Sequence, residues 1–113
     1  MAEYQVRHMK WWGWGDEDVT FSDADKPRLW PYLGGELGLE EGVPVPPVSF
    51  EEINLPVAKT NLPFTAALED ALKADQISED KKDRLIHAAG KAFRDLLRLR
   101  RGQVDYAPDL IVY

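Results

Sequence analysis

The last four residues of the chain place the strongest constraint on its fold. Residues 110–113 (Leu-Ile-Val-Tyr) form an unbroken β-branched and aromatic run after the turn Ala107-Pro108-Asp109. Such a run is typical of a β-strand that is covered on both faces. A strand needs a neighbour for its backbone donors and acceptors, and the only other extended stretch, residues 43–47, is rich in proline. We therefore expect this C-terminal strand to be unpaired within the chain and to open a further domain of a longer protein.

Glycine and proline divide the first half of the chain into short pieces. Helical spacing of apolar residues predicts a short helix at residues 28–37, with Asp25 as its N-cap and Pro27 in its first turn. A long proline-containing loop is expected at residues 40–60, where the capping-box spacing after Ser49 allows at most one helical turn. The first half is therefore expected to be mostly irregular.

The second half has clearer helical periodicity. A helix is predicted at residues 63–74, with an apolar face that should pack on the core. That face consists of Phe64, Ala67, Leu68, Ala71 and Leu72. A further helix is predicted at residues 79–99, capped by Ser78-Glu79-Asp80 and broken near Gly90. The expected fold is a mainly α, small and irregular helical domain.

Charge is distributed unevenly along the chain. The formal net charge is −6, yet residues 81–101 carry a local excess of +6, which leaves −12 on the remainder. An acidic chain with a pI near 4.8 is not expected to bind nucleic acid. The basic segment is better suited to an acidic protein surface or to a phosphate group.

Three tryptophans lie within four positions, at Trp11, Trp12 and Trp14. Gly13 and Gly15 disfavour a helix here, so the tryptophans should lie on an irregular segment. They could pack on the core of this domain or anchor it on another domain or subunit, since tryptophan is a favoured interface residue. A platform for a carbohydrate or another ligand is a third interpretation.

Four cations recur at helical spacing near the end of the last predicted helix: Lys91, Arg94, Arg98 and Arg101. This spacing places them on one helix face. The face could be solvated, could dock on an acidic partner surface, or could contact a substrate phosphate. In the last case Arg94, Arg98 and Arg100 are the candidates for bidentate contacts.

Residues suited to catalysis are scarce. The chain has no cysteine and only two histidines, His8 and His87. His87 could act as a general base, but no nucleophile or metal-spaced partner accompanies it, and a hydrogen-bonding role on a helix surface or between domains is favoured. Residues 1–8 can be interpreted as an added tail, with Met9 as the natural start. No apolar run approaches a membrane span, and a cytoplasmic location is predicted.

Two groups of residues together resemble a known family. The first is the run Lys10-Trp11-Trp12-Gly13-Trp14-Gly15. The second lies between Asp83 and Asp109 and consists of residues 83–91, residues 95–102 and Ala107-Pro108-Asp109. In these segments the chain resembles the N-terminal region of the alkyldihydroxyacetonephosphate synthases, FAD-linked enzymes of the vanillyl-alcohol-oxidase type. The resemblance spans residues 10–113 and is loose between residues 16 and 61.

The resemblance implies a domain organisation. Residues 9–102 would form an N-terminal helical domain, and residues 103–113 would form a linker and the beginning of an FAD-binding domain. The family joins a fatty alcohol to acyl-dihydroxyacetone phosphate through a substrate adduct on the flavin, in ether-lipid synthesis. Related flavoenzymes oxidise hydroxy acids instead. The parent enzyme would hold FAD, whereas this segment alone is expected to bind none and to be inactive.

The sequence therefore predicts a non-catalytic domain that packs on the FAD-binding domain of the same chain. A free-standing protein-interaction module, which uses the tryptophans and the cationic face, is the alternative. No catalytic, cofactor-binding or metal-binding residue is predicted. The residues predicted to contact another domain or a partner are Trp11, Trp12, Trp14, Arg84, His87, Lys91, Arg94, Arg98, Arg100 and Arg101.

Overall fold

The computed structural model describes residues 6–20, 22–42 and 44–113. Within these ranges the regular elements are four α-helices and two short β-strands: α1 Leu29–Leu37, α2 Leu62–Ala71, β1 Ile77–Ser78, α3 Lys81–Ile86, α4 Phe93–Arg100 and β2 Ile111–Val112. Three 3₁₀ turns lie at Val6–His8, Phe50–Glu52 and Ala74–Gln76. The predicted mainly α class is confirmed.

Helix α1 lies where it was predicted but begins differently. Its N-cap is Arg28, which makes no side-chain capping bond, so the predicted N-cap role of Asp25 is wrong. Asp23 instead accepts a hydrogen bond of 2.6 Å from the indole Nε1 of Trp30. The helix ends at Gly38, whose φ of 65° is left-handed and therefore suits glycine.

Helix α2 is present but its apolar face is not packed. Asn61 caps it by accepting the backbone N–H of Phe64 at 3.2 Å. None of its residues is buried, and Leu62 and Phe64 are 77% and 59% exposed. The prediction that this face packs on the core is therefore wrong for the described residues, because the core forms without α2.

The long helix predicted at residues 79–99 is two helices, α3 and α4, with the break at residues 87–92. The break contains Gly90, as predicted. Helix α4 ends in a Schellman motif, since Gly102 donates to the carbonyl of Leu99 and Gln103 donates to that of Arg98, both at 2.9 Å. Gly102 has a φ of +72°, and a Cβ there would lie 3.3 Å from Val48. The motif therefore needs glycine for two separate reasons.

The C-terminal strand has a partner within the chain. β2 pairs antiparallel with β1, with Ile77 opposite Val112 and Ser78 opposite Ile111. The expectation of an unpaired strand is therefore wrong. β1 is two residues long, too short to produce a recognisable alternation. Ile111 is buried whereas Val112 is 47% exposed, so β2 is covered on one face only.

The core joins four segments of the chain. Its buried members are Trp11, Ile53, Leu85, Ile86, Leu96 and Leu99. They come from the tryptophan segment, the end of the proline-containing loop, α3 and α4. Ile53 and Leu85 are the most completely enclosed, at 1% and 0% exposure. Helices α1 and α2 contribute no residue to this core.

The molecule is elongated. Its radius of gyration is 18.6 Å and its principal extents are 61 × 35 × 21 Å. A compact domain of this length would have a radius of gyration of roughly 13 Å. The difference follows from the core being confined to part of the chain, which leaves α1 and α2 outside it.

Replacement of a leucine should distinguish the core from α2. Leu85→Ala should lower the free energy of unfolding by about 2–5 kcal/mol, because it leaves a cavity in the core. Leu68→Ala, the same change on the partly exposed α2, should cost about 1 kcal/mol or less. Urea denaturation followed by circular dichroism measures both, and equal losses would contradict this assignment of the core.

Candidate interaction surface

The tryptophan segment forms a small hairpin-like loop. Met9 and Asp16 are bridged antiparallel, Lys10 donates its N–H to the carbonyl of Gly15 at 2.9 Å, and Glu17 donates to that of His8 at 2.8 Å. Gly15 turns the chain with a φ of 83°. The segment is non-helical, as its glycines predict, and the loop holds the tryptophans in fixed directions.

The three tryptophans have different environments. Trp11 is 6% exposed and belongs to the core, where its ring lies 5.6 Å from Trp12 and 6.5 Å from Phe50. Trp12 is partly buried against this core. Trp14 is 58% exposed. Of the interpretations offered for the three tryptophans, packing on the core of this domain therefore applies to Trp11. The side chain of Trp14 is exposed to solvent.

Lys91 and the tryptophan loop are joined by hydrogen bonds in both directions. The Lys91 ammonium donates to the carbonyls of Lys10 at 2.7 Å and Gly13 at 3.4 Å. The Lys91 carbonyl in turn accepts the indole N–H of Trp14 at 2.7 Å. Burial lowers the pKa of Lys91 from its ordinary value. Through these hydrogen bonds inside the domain, Lys91 links the tryptophan loop to the start of α4.

Arg100 makes a similar tie at the other end of α4. Its guanidinium donates to the carbonyl of Trp12 at 2.9 Å and to the carbonyl of Val45. The Arg100 carbonyl accepts the N–H of Val48 at 2.9 Å. Arg100 thus fixes both the tryptophan loop and the proline-containing loop on α4.

The predicted face of four cations is only partly present. Lys91 lies before α4 begins at Phe93, so it is not on the helix face and points inward instead. Arg94 and Arg98 are exposed on the helix, and Arg101 is exposed at its C-cap. The outward cationic surface consists of these three arginines.

Arg84 is buried, at 7% exposure. Its Nε donates to the carbonyl of Pro108 at 2.7 Å, and its Nη2 donates to that of Pro56 at 2.6 Å. Two segments far apart in sequence are thereby joined to α3. The structure places Arg84 inside the domain, as it does Trp11, so neither side chain lies on the surface where contact with a partner was predicted.

A polar cluster around Asp83 fixes the C-terminal strand. The Asp83 carboxylate accepts hydrogen bonds from the Ser78 hydroxyl at 2.5 Å and the Tyr113 hydroxyl at 2.8 Å. Arg7 lies 3.8 Å from the carboxylate, and its guanidinium carbon is 4.1 Å from the centre of the Tyr113 ring. Desolvation by burial and the hydrogen bond to Asp83 raise the pKa of Tyr113. The cluster joins β1, α3, β2 and the N-terminal segment.

His87 lies at the edge of this cluster and is exposed. Its Nδ1 is 2.8 Å from the carbonyl of Asp83, and because a carbonyl only accepts, Nδ1 carries the proton. Its ring packs edge-on against Tyr113 at 5.9 Å. In the part of the chain that the structure describes, no group of three or more potential metal ligands is found. The contacts of the His87 ring are thus one hydrogen bond to the backbone and one aromatic packing contact.

An apolar groove lies between the tryptophan loop and α4. It has a volume of about 260 Å³, and its lining includes Trp12, Trp14, Phe93, Leu97 and Arg100. Phe93 and Leu97 are 71% and 37% exposed. Together with the outward arginines of α4, this α4 groove is the candidate interaction surface.

Several of these functional contacts were not recognised in the sequence. The members of the polar cluster were missed because Arg7, Ser78, Asp83 and Tyr113 are far apart in the chain and have no common spacing. No exposed position was predicted for Phe93, which is 71% exposed. Only the position of Phe93 next to the Gly90 break could have indicated its exposed place at the helix start.

Removal of the two hydrogen bonds that Arg84 donates to backbone carbonyls should destabilise the fold. Arg84→Met should lower the free energy of unfolding by at least about 2 kcal/mol, since two charge-assisted hydrogen bonds are lost and their carbonyls are left unpaired. Arg94→Met, the same change on an exposed arginine, should cost less than about 0.5 kcal/mol. Thermal melts of the two variants give the comparison, and an Arg84→Met protein as stable as the wild type would refute the tie.

The Tyr113 hydroxyl should ionise at higher pH than an ordinary tyrosine. Because its folded pKa lies above the ordinary value of 10.0, Tyr113 contributes stability that is complete below pH 10 and is lost as the pH rises through the folded pKa. In an ultraviolet absorbance titration, Tyr113→Phe should remove the component that ionises at the highest pH. Tyr106→Phe, at an 85% exposed position, should leave that component in place.

None of the helices in the described ranges is long and apolar enough to cross a membrane.

Comparison with known proteins gives a consistent result. No family model matches the chain. The alkyldihydroxyacetonephosphate synthase of Dictyostelium discoideum is 33% identical in a gapped alignment of 139 positions, which covers 97% of this chain and 23% of that protein. The synthase of Trypanosoma brucei brucei is 32% identical in a gapped alignment of 122 positions, which covers 92% of this chain and 20% of that protein.

Solved structures agree in fold. Two structures of alkyldihydroxyacetonephosphate synthase, from different crystal forms, superpose with TM-scores of 0.78 and 0.80 at 31% identity. Each match covers 95% of this chain and 23% of the solved one, so the chain spans about a quarter of the length of these relatives. Over nearly its whole length, this chain is homologous to one part of the alkyldihydroxyacetonephosphate synthases.

Proposed function

We propose that this chain is a non-catalytic domain of an alkyldihydroxyacetonephosphate synthase-like flavoenzyme and that it packs on the FAD-binding domain of the same polypeptide. The relatives are about four to five times as long as the matched segment, since it covers 20–23% of them. A segment of that size within a longer enzyme is suited to a supporting role.

The exposed apolar surface of α2 and of the segment before it carries this proposal. Leu62 and Phe64 of α2 are 77% and 59% exposed, Val57 before the helix is 85% exposed, and no residue of α2 is buried among the described residues. Burial of one such side chain contributes roughly 1.5–3 kcal/mol. A helix with this surface is stabilised when another domain covers it, and we assign that contact to the FAD-binding domain.

The elongated shape supports the same conclusion. A radius of gyration of 18.6 Å leaves much of the surface of α1 and α2 away from the core. Such a module can lie along the surface of a larger domain. The polar cluster around Asp83 would then fix the direction in which the chain continues from β2 toward that domain.

One common kind of dinucleotide site uses a glycine-rich loop between a strand and a helix N-terminus. In residues 6–20, 22–42 and 44–113, the sheet has two strands of two residues, and no glycine-rich loop connects a strand to a helix. We therefore assign FAD to the remainder of the enzyme.

The catalytic reaction, like the binding of FAD, is assigned to the remainder of the enzyme. The resemblance implies alkyl transfer to a dihydroxyacetone phosphate ester in ether-lipid synthesis, or oxidation of a hydroxy acid by a related flavoenzyme. We assign either reaction to residues outside this chain. Within the chain, His87 is engaged through Nδ1 with a backbone carbonyl, which fits a structural role better than general base catalysis.

The adjoining reading frame separates this proposal from the free-standing interaction module. A glycine-rich FAD-binding sequence shortly after the codon for Tyr113 supports the flavoenzyme domain. A stop codon there supports the free-standing module, which would use the α4 groove and its arginines.

Hydrogen exchange tests the contact itself. Backbone amides of α2 should exchange at least about tenfold more slowly in the full-length polypeptide than in the 113-residue chain, because docking protects a helix that otherwise opens locally. Amides of α3 serve as the internal reference, since its last four residues are already buried.

Two variants of the full-length polypeptide provide the controls. Leu62→Asp combined with Phe64→Asp should remove the added protection of α2. Glu69→Gln, on the same helix, should retain it. Equal exchange of α2 in both lengths of polypeptide would exclude the proposed contact.

A further inference from the structure

A second pocket, which we call the polar pocket, lies between α4, the break before it and the loop after it. It has a volume of about 250 Å³. Pockets for drug-sized ligands measure roughly 300–1,000 Å³, so this one suits a smaller molecule. Its α4 residues, Asp95, Arg98 and Leu99, lie on the opposite side of the helix from Phe93 and Leu97 of the α4 groove. The polar pocket and the groove are therefore separate sites.

The polar side chains of this pocket are not engaged within the domain. In the part of the chain that the structure describes, none of them forms a hydrogen bond or an ion pair with another protein group. The inward cations of α3 and α4 differ, since Arg84, Lys91 and Arg100 all donate to backbone carbonyls. A ligand in the pocket would therefore meet donors and acceptors that are available to it. They belong to Asp95, Arg98, Gln103, Asp105 and Tyr106.

The walls of the polar pocket are held by backbone contacts. The Schellman motif at the end of α4 directs the loop at residues 103–106, and Arg84 holds the chain beyond it through the carbonyl of Pro108. On the other side, a Cβ at Gly90 would lie 3.2 Å from the carboxylate Oδ2 of Asp95. The half-buried Asp95 carboxylate therefore lies close to the backbone of the break. The pocket is formed before any ligand arrives, as small-molecule sites usually are.

The charges of the lining select a ligand that carries both signs. The carboxylates of Asp95 and Asp105 would repel an anion bound at Arg98, and Arg98 would repel a cation bound at the carboxylates. An ammonium group has three donors, enough for two carboxylates, and the planar guanidinium fork matches a carboxylate. Residues three apart on a helix have Cβ atoms about 5–6 Å apart. One small zwitterion can therefore reach both Asp95 and Arg98.

The rest of the lining is apolar and calls for an apolar group on the ligand. It consists of Ala88, Ala89, Leu99 and Val104. Leu99 belongs to the core, and Ala89 and Val104 pack against it. The ring of Tyr106, which is 85% exposed, also lines the pocket and offers further apolar surface. A ligand without an apolar part would leave this surface uncovered.

We propose that the polar pocket binds a free apolar α-amino acid. Its ammonium contacts Asp95 and Asp105, its carboxylate contacts Arg98, and its side chain covers the apolar part of the lining. The N-terminus of a peptide lacks the free carboxylate, so Arg98 favours the free amino acid. The site includes no residue of α2 and therefore does not depend on the proposed contact with the FAD-binding domain.

A nuclear magnetic resonance titration of the ¹⁵N-labelled 113-residue chain tests the proposal. The probes are L-leucine and L-phenylalanine. We expect at least one of them to bind with a Kd no weaker than about 1 mM. Its addition should shift the amide signals of residues 88–89, 95–99 and 103–106. If neither amino acid binds, or if the shifts lie elsewhere, the proposal is wrong.

Analogues of the amino acid that binds test each charge on the wild-type chain. The N-acetyl derivative lacks the ammonium, the amide derivative lacks the carboxylate, and glycine lacks the apolar side chain. Each should bind at least about tenfold more weakly, because each loses one of the three contacts. Undiminished binding of the N-acetyl derivative would show a simple anion site, and undiminished binding of the amide would show a cation or peptide site. Either result would overturn the proposal.

Matched variants assign the contacts to residues. Asp95→Asn and Arg98→Gln should each weaken binding at least about tenfold. Arg94→Gln, at an exposed arginine of α4 outside the pocket, is the control and should leave the Kd unchanged. Circular dichroism checks that each variant is folded. Equal binding by the Arg98→Gln and Arg94→Gln proteins would contradict the assignment of the carboxylate to Arg98.

Discussion

The fold depends on cationic side chains that satisfy the backbone carbonyls of irregular segments. A proline-rich loop does not continue a helix or a sheet, so its carbonyls need other partners, and a carbonyl near a core without a partner is costly. Arg84 provides partners for Pro56 and Pro108, and Lys81 provides one for Phe50 at 2.7 Å. Arg100 does the same for Trp12 and Val45. These ties attach two loops to α3 and α4, and the small core is enclosed between them.

The basic residues of segment 81–101, which contains α3 and α4, thus fall into two groups with different roles. The cations that face inward hold the fold, while the outward arginines of α4 remain available to an acidic surface. The same separation applies to the tryptophans, since Trp11 is in the core and Trp14 is on the groove. An interaction surface of this kind is rigid, because the loop that carries Trp14 is itself fastened by Lys91.

Local pattern accounts for what the sequence could predict. The helices near residues 29–37 and 62–71 follow from apolar spacing, and the break in the last helix follows from Gly90. Periodicity cannot tell whether an apolar face meets the core, and for α2 it does not. The pairing of β2 with β1 also lies beyond local pattern, because two residues have no alternation. The inward direction of Lys91 depends on where α4 begins, and a helix start is poorly determined from sequence.

The hydrogen bonds from these cationic side chains are accepted by main-chain carbonyl oxygens. For this reason the loops that accept them and the helices that donate them differ in how well they tolerate a change of sequence. A carbonyl oxygen is present whatever side chain a residue carries, so the loop around Val45 and Pro56 can change its composition and keep its attachment. The donors have no such freedom, because only a long cationic side chain reaches from α3 or α4 to those oxygens. Lysine in place of Arg84 would offer no planar fork for two acceptors. Sequence drift in this architecture is therefore expected to concentrate in the loops that are held, while the side chains that hold them stay fixed.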